Sequence, residues 1–222
     1  MSPFKSELII SNSPSLSSAL IFLSSLITRR LHIYSGQESK IILESVTYCQ
    51  DDSPFAQFIE NSELTFDEYI FILLAIVPHI QPDFFTFLLA EFLPQGGDFP
   101  EFGGVKATNH RGILPTGETA QFILAGDDLK KRLEVQCLMN NEHWLAKKHI
   151  LWLETVREGE PIMSGRLILD PEIVELLTTG NVSKPRFSME FPAEMVETQM
   201  DWDDLVLHPN TLHQIHEIEN WI

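Results

Sequence analysis

Cysteine is scarce: the 222 residues contain two, Cys49 and Cys137, far apart and in no paired-ligand spacing. That excludes a disulfide framework and a zinc site built on cysteine pairs. It fits two reduced thiols in a cytoplasmic protein. Basic residues are the second shortage. There are 15 Lys and Arg against 32 Asp and Glu, a net charge of −17. Both halves share it, with −8 over residues 1–110 and −9 over residues 111–222. Affinity for DNA phosphates and anionic lipid rests on neutralisation by Lys and Arg, so neither nucleic acid nor a membrane is an expected partner. A basic protein partner is better matched. Long apolar runs are missing too. The longest, Tyr69 to Val77, stops at Pro78 and is too short to span a bilayer. Residues 16–27 are apolar but interrupted by Ser17, Ser18, Ser24 and Ser25, and Arg29 and Arg30 follow the run instead of preceding it. That is the pattern of an N-terminal helix, not of a signal peptide.

The chemistry-bearing motifs are absent as well. A phosphate-binding Walker A loop needs Gly, four residues, then Gly-Lys and Ser or Thr, so that backbone N–H groups cradle phosphate and the lysine reaches it. Gly103-Gly104-Val105-Lys106-Ala107-Thr108 has the residue types without the spacing. Val105 separates glycine from lysine, and Ala107 separates lysine from threonine. The glycine-rich stretch 95–112 therefore reads as a mobile surface loop. His213 and Glu217 are four residues apart and share a helix face with His216 nearby, but the spacing is not that of a zinc helix, so no metal is expected. No Gly-x-Ser-x-Gly elbow exists, Ser164-Gly165 falls in an expected strand, and neither cysteine has a catalytic context. No catalytic residue and no cofactor is assigned to this chain.

What is there is a set of helix signals followed by a hairpin. The first dozen residues, ending near Ser11-Asn12-Ser13-Pro14, read as loose, with a helix over 16–34 stopped by Gly36. Thr65 and Glu68 have the capping-box spacing, Leu64 and Tyr69 the hydrophobic-staple spacing, and the helix they open is apolar on nearly all sides until Pro78 ends it. Pro82 then sits as a first helical residue, with Phe84, Phe85, Leu88, Leu89 and Phe92 at core spacing. Thr116 caps a short helix that ends at Gly126. Asp127 or Asp128 caps the next, with Leu129, Leu133 and Cys137 along one face. Residues 150–156 read as a strand, 158–161 as a turn and 166–169 as the return strand. Asp170-Pro171 opens a helix over 171–177, closed by Gly180. After Phe187 there are eight acidic residues and no Lys or Arg. Asn210 caps a last helix carrying Leu212, Ile215, Ile218 and Ile222. That helix stops in mid-pattern at Trp221-Ile222, a pattern that anticipates further chain.

The expected fold is therefore mainly α (α+β): an N-terminal helical segment (1–59), a winged-helix-like domain with one β-hairpin (60–183), and an acidic linker with a C-terminal helix (184–222). Lys130-Lys131-Arg132 and Lys147-Lys148 are the best basic clusters, and they adjoin Asp127, Asp128, Glu134 and Glu142, which cancels most of their field.

Two stretches resemble parts of bacterial AAA family ATPases. The helix with Leu73-Leu74-Ala75 and Pro78, the second helix after it, Pro115-Thr116, and the strand and helix that follow resemble the winged-helix region upstream of the ATPase module. The stretch Trp202-Asp203-Asp204-Leu205-Val206-Leu207, with Leu212, Ile215 and Ile218, resembles the linker and first helix that enter that module. Walker A, Walker B, sensor and arginine-finger residues have no counterpart. The resemblance implies a non-catalytic N-terminal region that recognises a protein client or regulates. ATP and magnesium are expected only for the parent protein, for which the resemblance also implies an oligomeric ring. In the parent, Asp203, Asp204, Leu205 and Val206 would border the adenine. The glycine-rich loop and the turn 158–161 are the expected partner contacts. A winged-helix DNA-binding regulator is the alternative reading, and a small enzyme of unrecognised type the second.

Overall fold

A computed structural model describes residues 3–37, 51–93, 99–183 and 208–219. The chain divides into two compact units, Met1–Ser183 and Lys184–Ile222. The described residues are mainly helical, with one antiparallel hairpin.

The first unit is built around one helix. Thr65 caps it as the spacing implies: its side chain accepts from Glu68 N, and Glu68 reaches back to the Thr65 N–H. This helix, α3 (Phe66–Ile80), buries every residue from Tyr69 to Val77. A helix apolar all round has no solvent face to offer, so other elements surround it. Around it lie α1 (Pro3–Tyr34), α2 (Pro54–Asn61), α4 (Phe84–Phe92), α5 (Gly117–Ala125), α6 (Leu129–Leu138), the short α7 (Trp144–Lys147) and α8 (Pro171–Thr179). Strands β1 (Leu151–Leu153) and β2 (Leu167–Leu169) pair with Trp152 opposite Ile168.

On its other side β2 meets the residues that open α5. Leu167 N donates to Pro115 O at 2.9 Å, Gly117 N donates to Gly165 O at 3.1 Å, and Thr116 bridges Arg166. From α4 on, the chain order is thus helix, single bridging segment, three helices of which the last has four residues, strand, 3-10 turn, strand. Gly165 must be glycine here: an added Cβ would lie 2.3 Å from Glu154 O.

Several local expectations are corrected. Helix α1 starts at Pro3, not near residue 16, and runs through Pro14. The cause is tertiary. Asn12 is fully buried; its Nδ2 donates to Leu177 O (2.5 Å) and Thr178 O (3.0 Å), and its Oδ1 accepts from Phe55 N (3.0 Å). One side chain thus satisfies the end of α8 and the start of α2, which outweighs the backbone bond lost at Pro14. Pro78 does not end α3, which continues to Ile80 with Gln81 N on Val77 O. Pro82 precedes the N-cap Asp83 instead of opening α4. The hairpin is shorter than expected, and Ser164 lies in a 3-10 turn (Ile162–Ser164), its hydroxyl donating to Pro161 O.

By length and composition Leu8–Tyr34 of α1 is long enough and apolar enough to cross a membrane. One face of it, including Leu16, Leu23, Ile27 and Leu31, is buried in the common core. Helices α3 and α4 pass the same test only together, bent by 103°.

In the second unit, α9 (Pro209–Glu219) begins one residue before the expected cap Asn210, with the His208 ring accepting from Asn210 N at 3.3 Å. Asp203, Asp204, Leu205 and Val206, expected to border the adenine in the parent, lie outside the described residues, as do Cys49 and the rest of 184–207.

Candidate functional site

On α6 a shared face and a cap are legible in the sequence, and the structure adds which way that face turns. Leu129, Leu133 and Cys137 do share a face, but it is the exposed one: Leu129 is 69% and Leu133 54% exposed, and Cys137 is an exposed free thiol. The helix docks instead through Val135, with Met139 just beyond its end. Two apolar stripes run along α6, and amphipathic spacing alone does not rank them. What decides is the cap and the polar clamp below. Asp128 accepts from Lys131 N, and Arg132 donates to Gly126 O (3.0 Å) and Gln121 Oε1 (3.4 Å), while Gln121 Nε2 donates to Arg132 O (3.1 Å). These bonds turn Arg132 toward α5 and Leu133 outward. The result is a three-residue apolar ridge on the surface, with no fold role to account for it.

Beside this ridge lies a cleft of about 400 Å³. It is bordered by Tyr34 of α1, the loop at Pro100-Glu101, Glu118 and Phe122 of α5, Asp127, Arg132, and Ile162 of the 3-10 turn. Ile162 is 67% exposed. The Tyr34 hydroxyl is held above its usual range by its hydrogen bond to Glu101 and by partial burial beside Glu101 and Asp127. Arg30 caps the end of α5 through Ile123 O at 2.9 Å; burial lowers it and Asp127 partly restores it.

The glycine-rich loop is not a projecting surface loop over its described part. Phe102 is fully buried against Phe85, Phe99 and Phe122. Gly104 N donates to Thr116 Oγ1 (3.2 Å), Val105 N to Leu114 O (2.9 Å), and Leu114 N returns to Val105 O (2.8 Å). Those N–H groups face protein acceptors, not an open cradle. Close by, His110 Nε2 is buried without a partner, the only such side-chain atom among the described residues. Burial and the nearby His110 together lower His79.

The polar centre of the unit is Glu68, 5% exposed. Its carboxylate accepts from Thr65 N and Thr65 Oγ1 (both 2.7 Å) and Trp144 Nε1 (2.6 Å), and His143 Nε2 lies 3.2 Å from it. Burial pushes this carboxyl up, but the Thr65 and Trp144 hydrogen bonds and the His143 charge outweigh it and hold it below the usual range. A buried carboxylate–imidazole pair invites an acid–base reading. Here the other ring nitrogen, Nδ1, accepts from Leu145 N at 3.4 Å, so neither nitrogen faces open space to take a substrate proton. The arrangement fastens α7 to α3. Sequence reasoning found Glu68 as a capping residue; its link to Trp144, 76 residues on, carries no sequence signal.

Each basic cluster is engaged locally. Lys131 binds Asp67 (2.6 Å) and lies 3.7 Å from Glu134, Lys130 lies 3.9 Å from Glu134, Lys147 pairs with Glu142 (2.7 Å), and Lys148 stands 5.5 Å over the Trp144 ring. The Asp67 bond foremost raises Lys131. His213 and Glu217 approach to 3.5 Å on α9, both well exposed. Among the described residues no group of three or more His, Cys, Asp or Glu is placed to hold a metal ion.

No family model, curated protein or solved structure matches the chain.

Proposed function

We propose that this chain is a non-catalytic protein-recognition module, the N-terminal region of an AAA family ATPase, whose partner is basic. The observation that carries the recognition reading is the exposed ridge Leu129, Leu133 and Cys137 on α6. Burying two leucines of this exposure is worth about 1–2 kcal/mol each, and the fold itself leaves them in water. The helix–bridge–helix–helix–strand–turn–strand order, with the four-residue α7 inserted before the first strand, supports the winged-helix part of the reading. In helix-turn-helix modules the second helix of the pair meets the target. Here that helix is α6, and it offers aliphatic side chains among charges already paired. A DNA-reading helix offers free Arg and Lys instead. The ATPase parentage rests on the resemblance of residues 60–180 and of the stretch from Trp202.

Two experiments test the proposal. Titration of labelled duplex DNA at ~150 mM salt is expected to give no binding tighter than the non-specific range of roughly 10⁻⁴–10⁻⁶ M, and a sub-micromolar constant would overturn the protein-recognition reading. The gene beyond Ile222 is expected to encode Gly-x4-Gly-Lys-Ser or Thr; its absence would overturn the family.

A further inference from the structure

Resting on the protein-recognition reading, we infer that the cleft beside α6 receives an arginine or lysine side chain of the partner, while the leucine ridge takes an adjoining apolar residue. The cleft has the parts such a side chain needs. Glu101, Glu118 and Asp127 supply carboxylates at its border. Tyr34 and Phe122 supply aromatic surface, and Ile162 an exposed aliphatic edge for the methylene stem. One cation, Arg132, lines it, and that guanidinium is already committed to Gly126 O and Gln121 Oε1. Neither Glu101 nor Glu118 has an ion-pair partner among the described residues. The walls are therefore anionic with no resident counter-charge facing two of the three carboxylates.

Position joins the two features. On the α6 wheel Arg132 and Gln136 line the cleft, and Leu129 and Leu133 follow immediately on the solvent side. An extended or helical segment with a basic residue next to an apolar one would reach both. The charge of the whole chain, −17, brings a cation to this face and repels an acidic segment.

The test is a ¹⁵N–¹H NMR titration of the full 222-residue chain with Nα-acetyl-arginine amide, a peptide-like probe. Nα-acetyl-citrulline amide, neutral and of nearly the same shape, and free arginine, which carries its own carboxylate, run beside it. The acetylated arginine is expected to move the amides of Glu101, Glu118, Phe122, Asp127 and Ile162 in a saturable way. Citrulline should leave them unmoved, and free arginine should bind more weakly. Glu118→Gln and Asp127→Asn should each weaken the arginine response by up to about fivefold, the scale of one exposed charge contact. Glu172→Gln on α8 should not weaken it. Shifts scattered over the acidic surface, an equal response to citrulline, or indifference to both Glu118→Gln and Asp127→Asn would overturn the inference. A failure here combined with partner capture at Leu133 would remove the cleft alone and leave the recognition reading standing.

Discussion

Glu68→Gln is the substitution whose cost follows most directly from geometry. The carboxylate meets donors on both sides: Thr65 N and Oγ1 at one oxygen, Trp144 Nε1 at the other, with His143 Nε2 3.2 Å from that second oxygen. A glutamine offers one acceptor and one NH₂. Either its NH₂ faces the Thr65 N–H or it faces the indole N–H, and neither can turn away. His143 could accept only by moving its proton to Nδ1, where it would confront the Leu145 N–H. Hydrogen bonds to a charged acceptor are worth about 1.5–3 kcal/mol each, so losing two with partial relaxation costs roughly 3 kcal/mol. For a chain of this size that is a fall in Tm of about 6–12 °C. The pH dependence has a definite sign. The folded pKa lies below the unfolded one, so the stabilisation is complete above the unfolded value near 4.5 and fades as pH falls through the lower folded value. Urea denaturation followed by circular dichroism should show the full gap between wild type and variant at pH 7, closing in acid. A gap under about 0.5 kcal/mol at pH 7, or one that persists unchanged in acid, would refute the reasoning.

Other outcomes follow from the same structure. Asn12→Ala removes three bonds tying α1, α2 and α8 and should cost about 2–4 kcal/mol by chemical denaturation. Gly165→Ala places a Cβ 2.3 Å from Glu154 O and should cost more than Gly159→Ala, where φ is +91° but nothing lies within 4 Å. Glu154→Gln breaks an ion pair with Arg166 that is partly exposed on both sides, so its cost should stay near 1 kcal/mol or less and shrink in high salt. His110→Phe eliminates the unpartnered Nε2 and should stabilise by about 1 kcal/mol. It should also soften the loss of stability as pH falls below about 6.5, because lowered His79 favours the folded state only while neutral.

The helix signals that proved legible are those made of adjacent residues. The Thr65/Glu68 box, the Thr116 cap, the Gly126 and Gly180 stops and the unbroken apolar face of α3 each contain their own cause within one or two turns. The hairpin was legible in position but not in length. What failed was decided elsewhere in the chain. Residues 3–15 read as loose because Ser-Asn-Ser-Pro is a poor helix sequence, and nothing local announces that Asn12 will sit between α2 and α8. The glycine-rich loop reads as a free surface, and Phe102 alone hints that it is anchored. On α6 the apolar face is legible in the sequence, but the side to which it turns is not. Leu129 and Leu133 are the more hydrophobic choice, and the clamp of Arg132 with Gln121 on α5 turns them outward. That outward turn is informative, since a hydrophobic stripe that the core does not use is the candidate site.

Site-specific photo-crosslinking from position 133 is the decisive measurement. A benzophenone amino acid replaces Leu133 in one protein and Glu172, on α8, in another, and both are irradiated in cells of the native host. The position-133 protein is expected to give a discrete adduct with a basic protein. Leu129→Asp in the same chain should abolish that adduct while changing stability by no more than about 0.5 kcal/mol, as befits an exposed residue. Adducts of equal yield from both positions, an adduct with nucleic acid, or one indifferent to Leu129→Asp would contradict the proposal that α6 is a protein-recognition surface.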